Sequence, residues 1–227
     1  NHDAIVRQAE RLFGHLVPGK KPAAPQGANF LGGERREIKA LEQVHFALAL
    51  EAPNYRDPEI YTAQIYATAL GGGMSSRLFQ EVRENRGLCY SIFAQAGAYD
   101  DTGMTTIYAG TSAEQIGELA HLTIDEMRRA ADDMSDAEVS RARAQMKAGL
   151  LMGLESPSAR AERLARMLQV WDRIPALDEA TQRIDAVNTK MVREFAGKMM
   201  QASNALALYG PADLAPTLEA LRNRLAA

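Results

Sequence analysis

Residues 70–91 read LGGGMSSRLFQEVRENRGLCYS, and no other stretch restricts the fold of this chain as tightly. Three consecutive glycines, Gly71, Gly72 and Gly73, stop the apolar periodicity that precedes them and allow the chain to reverse. Ser75 or Ser76 is then placed to cap a second helix by accepting one of its free N–H groups. On that helix Leu78 and Val82 are stacked neighbours, while Phe79, Arg83 and Arg86 share another stripe. Gly87 is positioned to end it in the left-handed conformation. Alternation begins at once, which places Leu88, Tyr90 and Ile92 on one face of a strand. The pattern therefore predicts a rigid helix–turn–strand unit carrying a guanidinium at Arg83 and a phenol at Tyr90. Two such donors suit a peptide carbonyl, and they suit a solvated surface equally well.

The glycines have three readings. A phosphate-binding loop requires a lysine before its Ser or Thr, but Met74 precedes Ser75 and no lysine occurs between Lys39 and Lys147. The spacing G-x-G-x-x-G is absent as well. A helix N-terminus still offers free N–H groups to an anion. A plain tight turn accounts for the same residues.

Around this unit the chain alternates between two periods. Val44, Phe46, Leu48 and Leu50 alternate with His45, Ala47 and Ala49, which predicts a strand whose small second face is also packed. Residues 54–70 read as a helix with Ile60, Ala63, Ala67 and Leu70 inward. LCYSIFAQAGAY and YDDTGMTTIYAG predict a hairpin. Ser112 with Gln115, and Ser135 with Glu138, fit capping boxes. Ser156 followed by Pro157 restarts a helix. Thr189 to Met200 is a further helix with Val192, Phe195, Ala196 and Met199 inward. NALALYG is a late strand, and Pro211 to Leu225 a closing helix with Leu214, Leu218, Leu221 and Leu225 on its apolar side. Strands separated by blocks of helices imply an α+β domain, a sheet covered by helices.

The front of the chain differs in character. Asp3 to Leu16 reads as a short helix with Ile5, Ala9, Leu12 and Leu16 on one side. Residues 17–33 contain three prolines and four glycines and read as an extended linker. The start at Asn1, without an initiator methionine, reads as a fragment or a processed product.

Composition removes several classes of function. A formal charge of -3 gives no basic footprint for nucleic acid. No apolar run approaches the roughly 20 residues needed to cross a bilayer. Cys89 is the only cysteine, which forbids an internal disulfide and fits a small core residue. The four histidines, His2, His15, His45 and His121, are scattered. His121 and Asp125 have i, i+4 spacing, but a catalytic zinc site needs three protein ligands.

The stretch LGGGMSSRLFQEVRENRGLCYSIFAQ resembles the signature of the second domain of the insulinase and mitochondrial processing peptidase family of zinc metallopeptidases. LEQVHFALAL is similar to the first strand of that half, and DTGMTTIYAGTSAEQ to its hairpin and following helix. ESPSARAERLARML is similar to its later helix pair, and IDAVN with ALALYGP to its closing elements. The opening NHDAIVRQAERLFGHL resembles the tail of the preceding half.

The resemblance implies a mixed, mostly antiparallel sheet covered by helices. It implies three segments: a tail helix at 1–16, a linker at 17–33, and a second, zinc-free domain at 34–227. The family's catalytic half carries H-x-x-E-H and a further glutamate, an arrangement absent here, so zinc is expected in a partner half and none in this chain. By this likeness the chain is the chamber wall facing the zinc, inactive alone, with Arg83 and Tyr90 supporting the peptide carbonyl and the oxyanion. Gly71, Gly72 and Gly73 match the family's substrate-linked glycine loop. The implied partners are a zinc-bearing homologous half or subunit and a peptide, with a homodimer also allowed, and no nucleic acid or membrane. The implied location is cytoplasm or an organelle matrix. The alternative is a non-catalytic structural subunit of the same fold, akin to the respiratory core proteins.

Overall fold

The computed structural model describes residues 1–20 and 26–227. Five strands form one mixed sheet: β1 (Gly33–Ile38), β2 (Val44–Ala52), β3 (Cys89–Ala98), β4 (Gly103–Thr111) and β5 (Asn204–Gly210), in the order β1-β5-β2-β4-β3. Only the β1–β5 pair is parallel; β5–β2, β2–β4 and β4–β3 are antiparallel. The helices are α1 (His2–Phe13), α2 (Ile60–Gly71), α3 (Ile116–Asp133), α4 (Asp136–Gly153), α5 (Pro157–Trp171), α6 (Leu177–Ala186), α7 (Thr189–Gln201) and α8 (Leu218–Ala226). A seven-residue π-helical segment, Phe79–Asn85, lies between α2 and β3.

The alternation in β2 is what builds the core. Val44, Phe46, Leu48 and Leu50 are buried and meet Ile92 and Ala94 of β3, Ile107 and Ala109 of β4, and Leu206 and Leu208 of β5 on the same face. Helices α2, α3, α7 and α8 close over that face with Ile65, Leu119, Phe195 and Leu221 among their buried side chains. The opposite face departs from expectation. His45, Ala47 and Ala49 are only half-buried, and no helix among the described residues packs on them. A ladder of side chains runs across it instead: Phe93 stacks on Tyr108 at 5.2 Å, and His45 Nδ1 lies 2.7 Å from the Tyr108 hydroxyl. Small residues there leave room for aromatic neighbours rather than for a second layer.

Strand β1 was not anticipated, because GERREI has no apolar face. Its charged side chains Glu34 and Arg36 pair with each other, Arg36 Nη2 donating to Glu34 Oε1 at 2.9 Å, and each also bonds backbone. Arg36 donates to the carbonyls of Ala212, Ala215 and Pro216, and Glu34 accepts from the Leu218 N–H. The charges also suit an edge strand, where they oppose pairing with other chains. The linker read over 17–33 includes 21–25, which lie outside the described residues; its last residue, Gly33, already belongs to β1.

Several boundaries shift. Helix α1 ends at Phe13 instead of Leu16, and α2 begins at Ile60 instead of Asn54. Helix α8 is shorter than read, starting at Leu218, so Leu214 is 67% exposed. Ser135 and Glu138 do form a capping box, and Ser156 caps α5 with Pro157 in its first turn. The box read at Ser112 and Gln115 does not form: α3 starts at Ile116, and Ser112 lies in the preceding turn with Oγ 3.4 Å from Gln115 Oε1. Helix α6 carries no capping signal in the sequence; of the stretches that carry the family likeness, only IDAVN, at 184–188, overlaps its end.

Candidate functional site

The glycine stretch does its work through close approach. Gly71 ends α2 against β3, where an added Cβ would stand 2.4 Å from the Ala94 nitrogen and 2.7 Å from its Cβ. None of Gly71, Gly72 and Gly73 takes a positive φ. Gln145 of α4 fixes the loop from the side by donating to the Gly72 carbonyl at 2.7 Å. That partner is 73 residues distant, and nothing local in the sequence identifies it. Ser76 does not cap the following helix. Its hydroxyl donates back to the Gly73 carbonyl at 2.6 Å, closing the loop on itself.

The helix expected over 77–86 is wound more widely than an α-helix. After Arg77 and Leu78 it runs as a π-helix through Asn85, an uncommon winding that recurs at functional sites. Leu78 and Val82 are fully buried and anchor it. Arg77 clamps it to the next layer, with Nε and Nη2 on the Glu138 carboxylate at 2.6 and 3.0 Å and Nη1 on Asp133. Burial pushes the Glu138 carboxyl up, but hydrogen bonds from Arg77 and Ser135 outweigh it and hold the group at about 2. Gly87 ends the segment at φ 64, in the left-handed region that favours glycine, with its N–H on the Arg83 carbonyl at 3.0 Å.

Strand β3 then departs from simple alternation. The pairing with β4 slips between Cys89 and Ser91, a β-bulge that re-aims the residue inside it. Leu88 and Ile92 turn into the core, whereas Tyr90, expected on their face, is 80% exposed. This irregularity brings Tyr90 over Arg83. The guanidinium carbon lies 5.3 Å from the Tyr90 ring centroid and 4.5 Å from that of Phe79, so it is held between two rings. Among the described residues neither the Arg83 side chain nor the Tyr90 hydroxyl makes a hydrogen bond. The one carboxylate near Arg83 is Glu84, at 3.8 Å. Arg86, on the same stripe, turns to Glu118 at 3.1 Å. Two donors thus stand side by side, neither with a hydrogen-bond partner among the described residues.

Cys89 adjoins this pair without sharing its character. Burial pushes its thiol up to about 11 against the pull of Arg83, so it stays protonated near neutral pH. Among the described residues no three His, Cys, Asp or Glu side chains lie close enough to hold a metal ion. Asp125, spaced one turn from His121, is engaged in a two-point bond with Arg224 at 2.8 and 2.6 Å. No helix of the described residues is long and apolar enough to cross a membrane.

Comparison with known proteins gives these features a context. A protein of Rickettsia bellii named an uncharacterized zinc protease is 33% identical over 215 residues, covering 94% of this chain and 52% of that protein. The uncharacterized zinc protease YmxG of Bacillus subtilis is 31% identical over 218 residues, 95% of this chain and 53% of its own length. The chain thus spans about half the length of these relatives. In three dimensions it superposes on a chain of complex III2 from Candida albicans, solved with Inz-5 bound. The TM-score is 0.87 at 23% identity, over 99% of this chain and 56% of that one, which establishes a shared fold. Residues 1–146 match the family described as the peptidase M16 inactive domain, and the chain belongs to that family of zinc-protease relatives.

Proposed function

We propose that this chain forms the wall of a peptide-binding chamber opposite the zinc-bearing half of a metalloendopeptidase. The observation that carries the reading is the adjacent donor pair Arg83 and Tyr90, neither with a hydrogen-bond partner among the described residues. The hydrolytic metal chemistry belongs to the other half, on the same polypeptide or on a partner subunit. This chain's residues bind and orient. The guanidinium and phenol meet the carbonyl oxygen of an extended peptide and strengthen their bonds as charge develops on it. The loop of Gly71, Gly72 and Gly73 lies at the start of the same segment, with Gly71 against Phe93 and Ala94 of β3. It presents backbone to the peptide. In this reading residues 1–16 are the tail of the preceding half and 17–33 the connection to it. The assembly resides in cytoplasm or an organelle matrix.

The test is cleavage of a peptide by the chain reassembled with its zinc-bearing half. Arg83→Ala and Tyr90→Phe are each expected to lower kcat/KM on the order of 10²-fold, the usual effect of losing one oxyanion donor, with zinc content unchanged. Normal turnover in both variants removes the pair from the site. A stable assembly that never cleaves peptide supports the other reading, a structural subunit of the same fold.

A further inference from the structure

A second concave site lies away from Arg83 and Tyr90, and it does not depend on the peptidase reading. Helix α5 sits loosely on the body: of its fifteen residues only Met167 and Val170 are buried. The gap beneath it, between α2, α4, α5 and α6, is a cavity of about 290 Å³. Its floor is apolar, made by Ile60, Met146, Leu150, Met167, Trp171 and Ile184. A second hollow of about 270 Å³ adjoins it across Tyr61, Met167, Trp171 and Ala180. Tyr61 lies ten residues before Gly71 on α2, roughly 15 Å along the helix axis at 1.5 Å per residue.

The charged groups around this slot are unbalanced. Arg163 and Arg166 line the first hollow, with no acidic residue. Arg56, Arg173 and Arg183 line the second, with Glu179 as the one carboxylate. Glu179 is already taken by Arg173 in a two-point bond at 2.6 and 2.7 Å. The other four guanidiniums make no ion pair among the described residues, although the charge of Arg183 acts on Glu179 from further away. Arg56 Nε is spent on the Val170 carbonyl at 2.8 Å, Arg166 Nη1 on the Tyr55 hydroxyl at 3.1 Å, and Arg183 lies over the Tyr61 ring at 4.7 Å. Arg163 is the telling one: its Nη2 is buried and has no hydrogen-bond partner. A buried donor on a cationic group is costly to leave unpaired; with Nη2 shut off from the slot, Arg163 meets an anion there through its charge and its other guanidinium N–H groups.

We infer that this cleft binds a small amphipathic carboxylate, a hydrocarbon body on the apolar floor with its headgroup on Arg163 and Arg166. Planar guanidiniums match a carboxylate in geometry and charge. A mostly apolar pocket with a few convergent polar groups is the usual form of a small-ligand site.

Trp171 is the only tryptophan of the chain and borders both hollows, so its fluorescence reports occupancy directly. Decanoate, below its micellar concentration, is expected to change that fluorescence saturably and to raise Tm. Decanol, lacking the charge, is expected to bind at least tenfold more weakly. Arg163→Gln, and separately Arg166→Gln on the exposed rim, are each expected to weaken decanoate at least tenfold, with unligated Tm and circular dichroism retained. Equal binding of decanol and decanoate overturns the inference, as does a linear, unsaturable response. Unchanged affinity in both folded variants does the same. Binding of a short peptide with a C-terminal leucine carboxylate, without binding of decanoate, overturns the assignment to a free amphiphile.

Discussion

A methyl group on Gly71 has nowhere to go. Its position 2.4 Å from the Ala94 nitrogen is set by two backbones, neither of which yields as a flexible side chain does. Alanine favours a helix over glycine by about 1 kcal/mol, but overpacking of this kind costs about 1–3 kcal/mol and occasionally more. The collision wins, because relieving it moves α2 away from β3 along the seam that carries the core. Gly71→Ala is expected to destabilise the chain by about 2 kcal/mol, a fall in Tm of roughly 4–8 °C at this length, read by calorimetry. An unchanged Tm means that the seam relaxes freely and that the glycine serves something other than packing. Arg83 and Tyr90 belong to the same scale. Their chemistry is legible from residue type alone, but their juxtaposition is not, since strict alternation puts Tyr90 in the core with Leu88 and Ile92.

The segment from Gly71 to Ile92 is held as one element by few bonds, and the Arg77–Glu138 pair is central among them. Glu138 also closes the capping box of α4, accepting from the Ser135 N–H at 2.8 Å, so a single carboxylate ties the π-helical segment to the start of a helix 61 residues further on. Its pKa of about 2 lies below the ordinary 4.5, so its stabilising contribution is complete above about pH 4.5 and is lost as pH falls towards 2. The shift corresponds to about 2 kcal/mol once screening by nearby solvent is discounted. Glu138→Gln is expected to melt several degrees below the parent at pH 7, with the difference shrinking as both are titrated to pH 3. Parallel melting curves across that range assign the pair no net role. The elements that were legible are those with a strong period or an end signal: α2, the β3–β4 hairpin, α7, β5, the Ser135 box and the Ser156 cap. Those that were not depend on remote partners. Strand β1 has charged residues bonded to the backbone of Ala212, Ala215, Pro216 and Leu218, and the π-helical winding and the bulge at Cys89 and Ser91 leave no mark in periodicity.

At the scale of the molecule the sheet and its covering helices share one contiguous core, and α1 stands outside it. No residue of α1 is buried, and Ile5, Leu12 and Phe13 are 67%, 48% and 61% exposed. A twelve-residue helix with no packed face is marginal in water, because nucleation is costly and few bonds repay it. An apolar stripe left bare in this way is what the proposed tail of a preceding half requires, with its covering surface supplied from outside residues 1–227. The helix is therefore expected to stand outside the cooperative unit, whereas Ala28, bonded to Asp101, and Gly32, against Asn204, already touch the body. Removal of residues 1–16 is expected to leave Tm within about 1 °C, where loss of 1 kcal/mol lowers it by about 2–4 °C in a chain of this size. The same deletion is expected to weaken assembly with the zinc-bearing half, measured by co-purification of the two. A Tm drop of several degrees in the isolated chain places α1 inside the core and ends its assignment to the preceding half. An unchanged Tm with undiminished assembly frees the helix from both units.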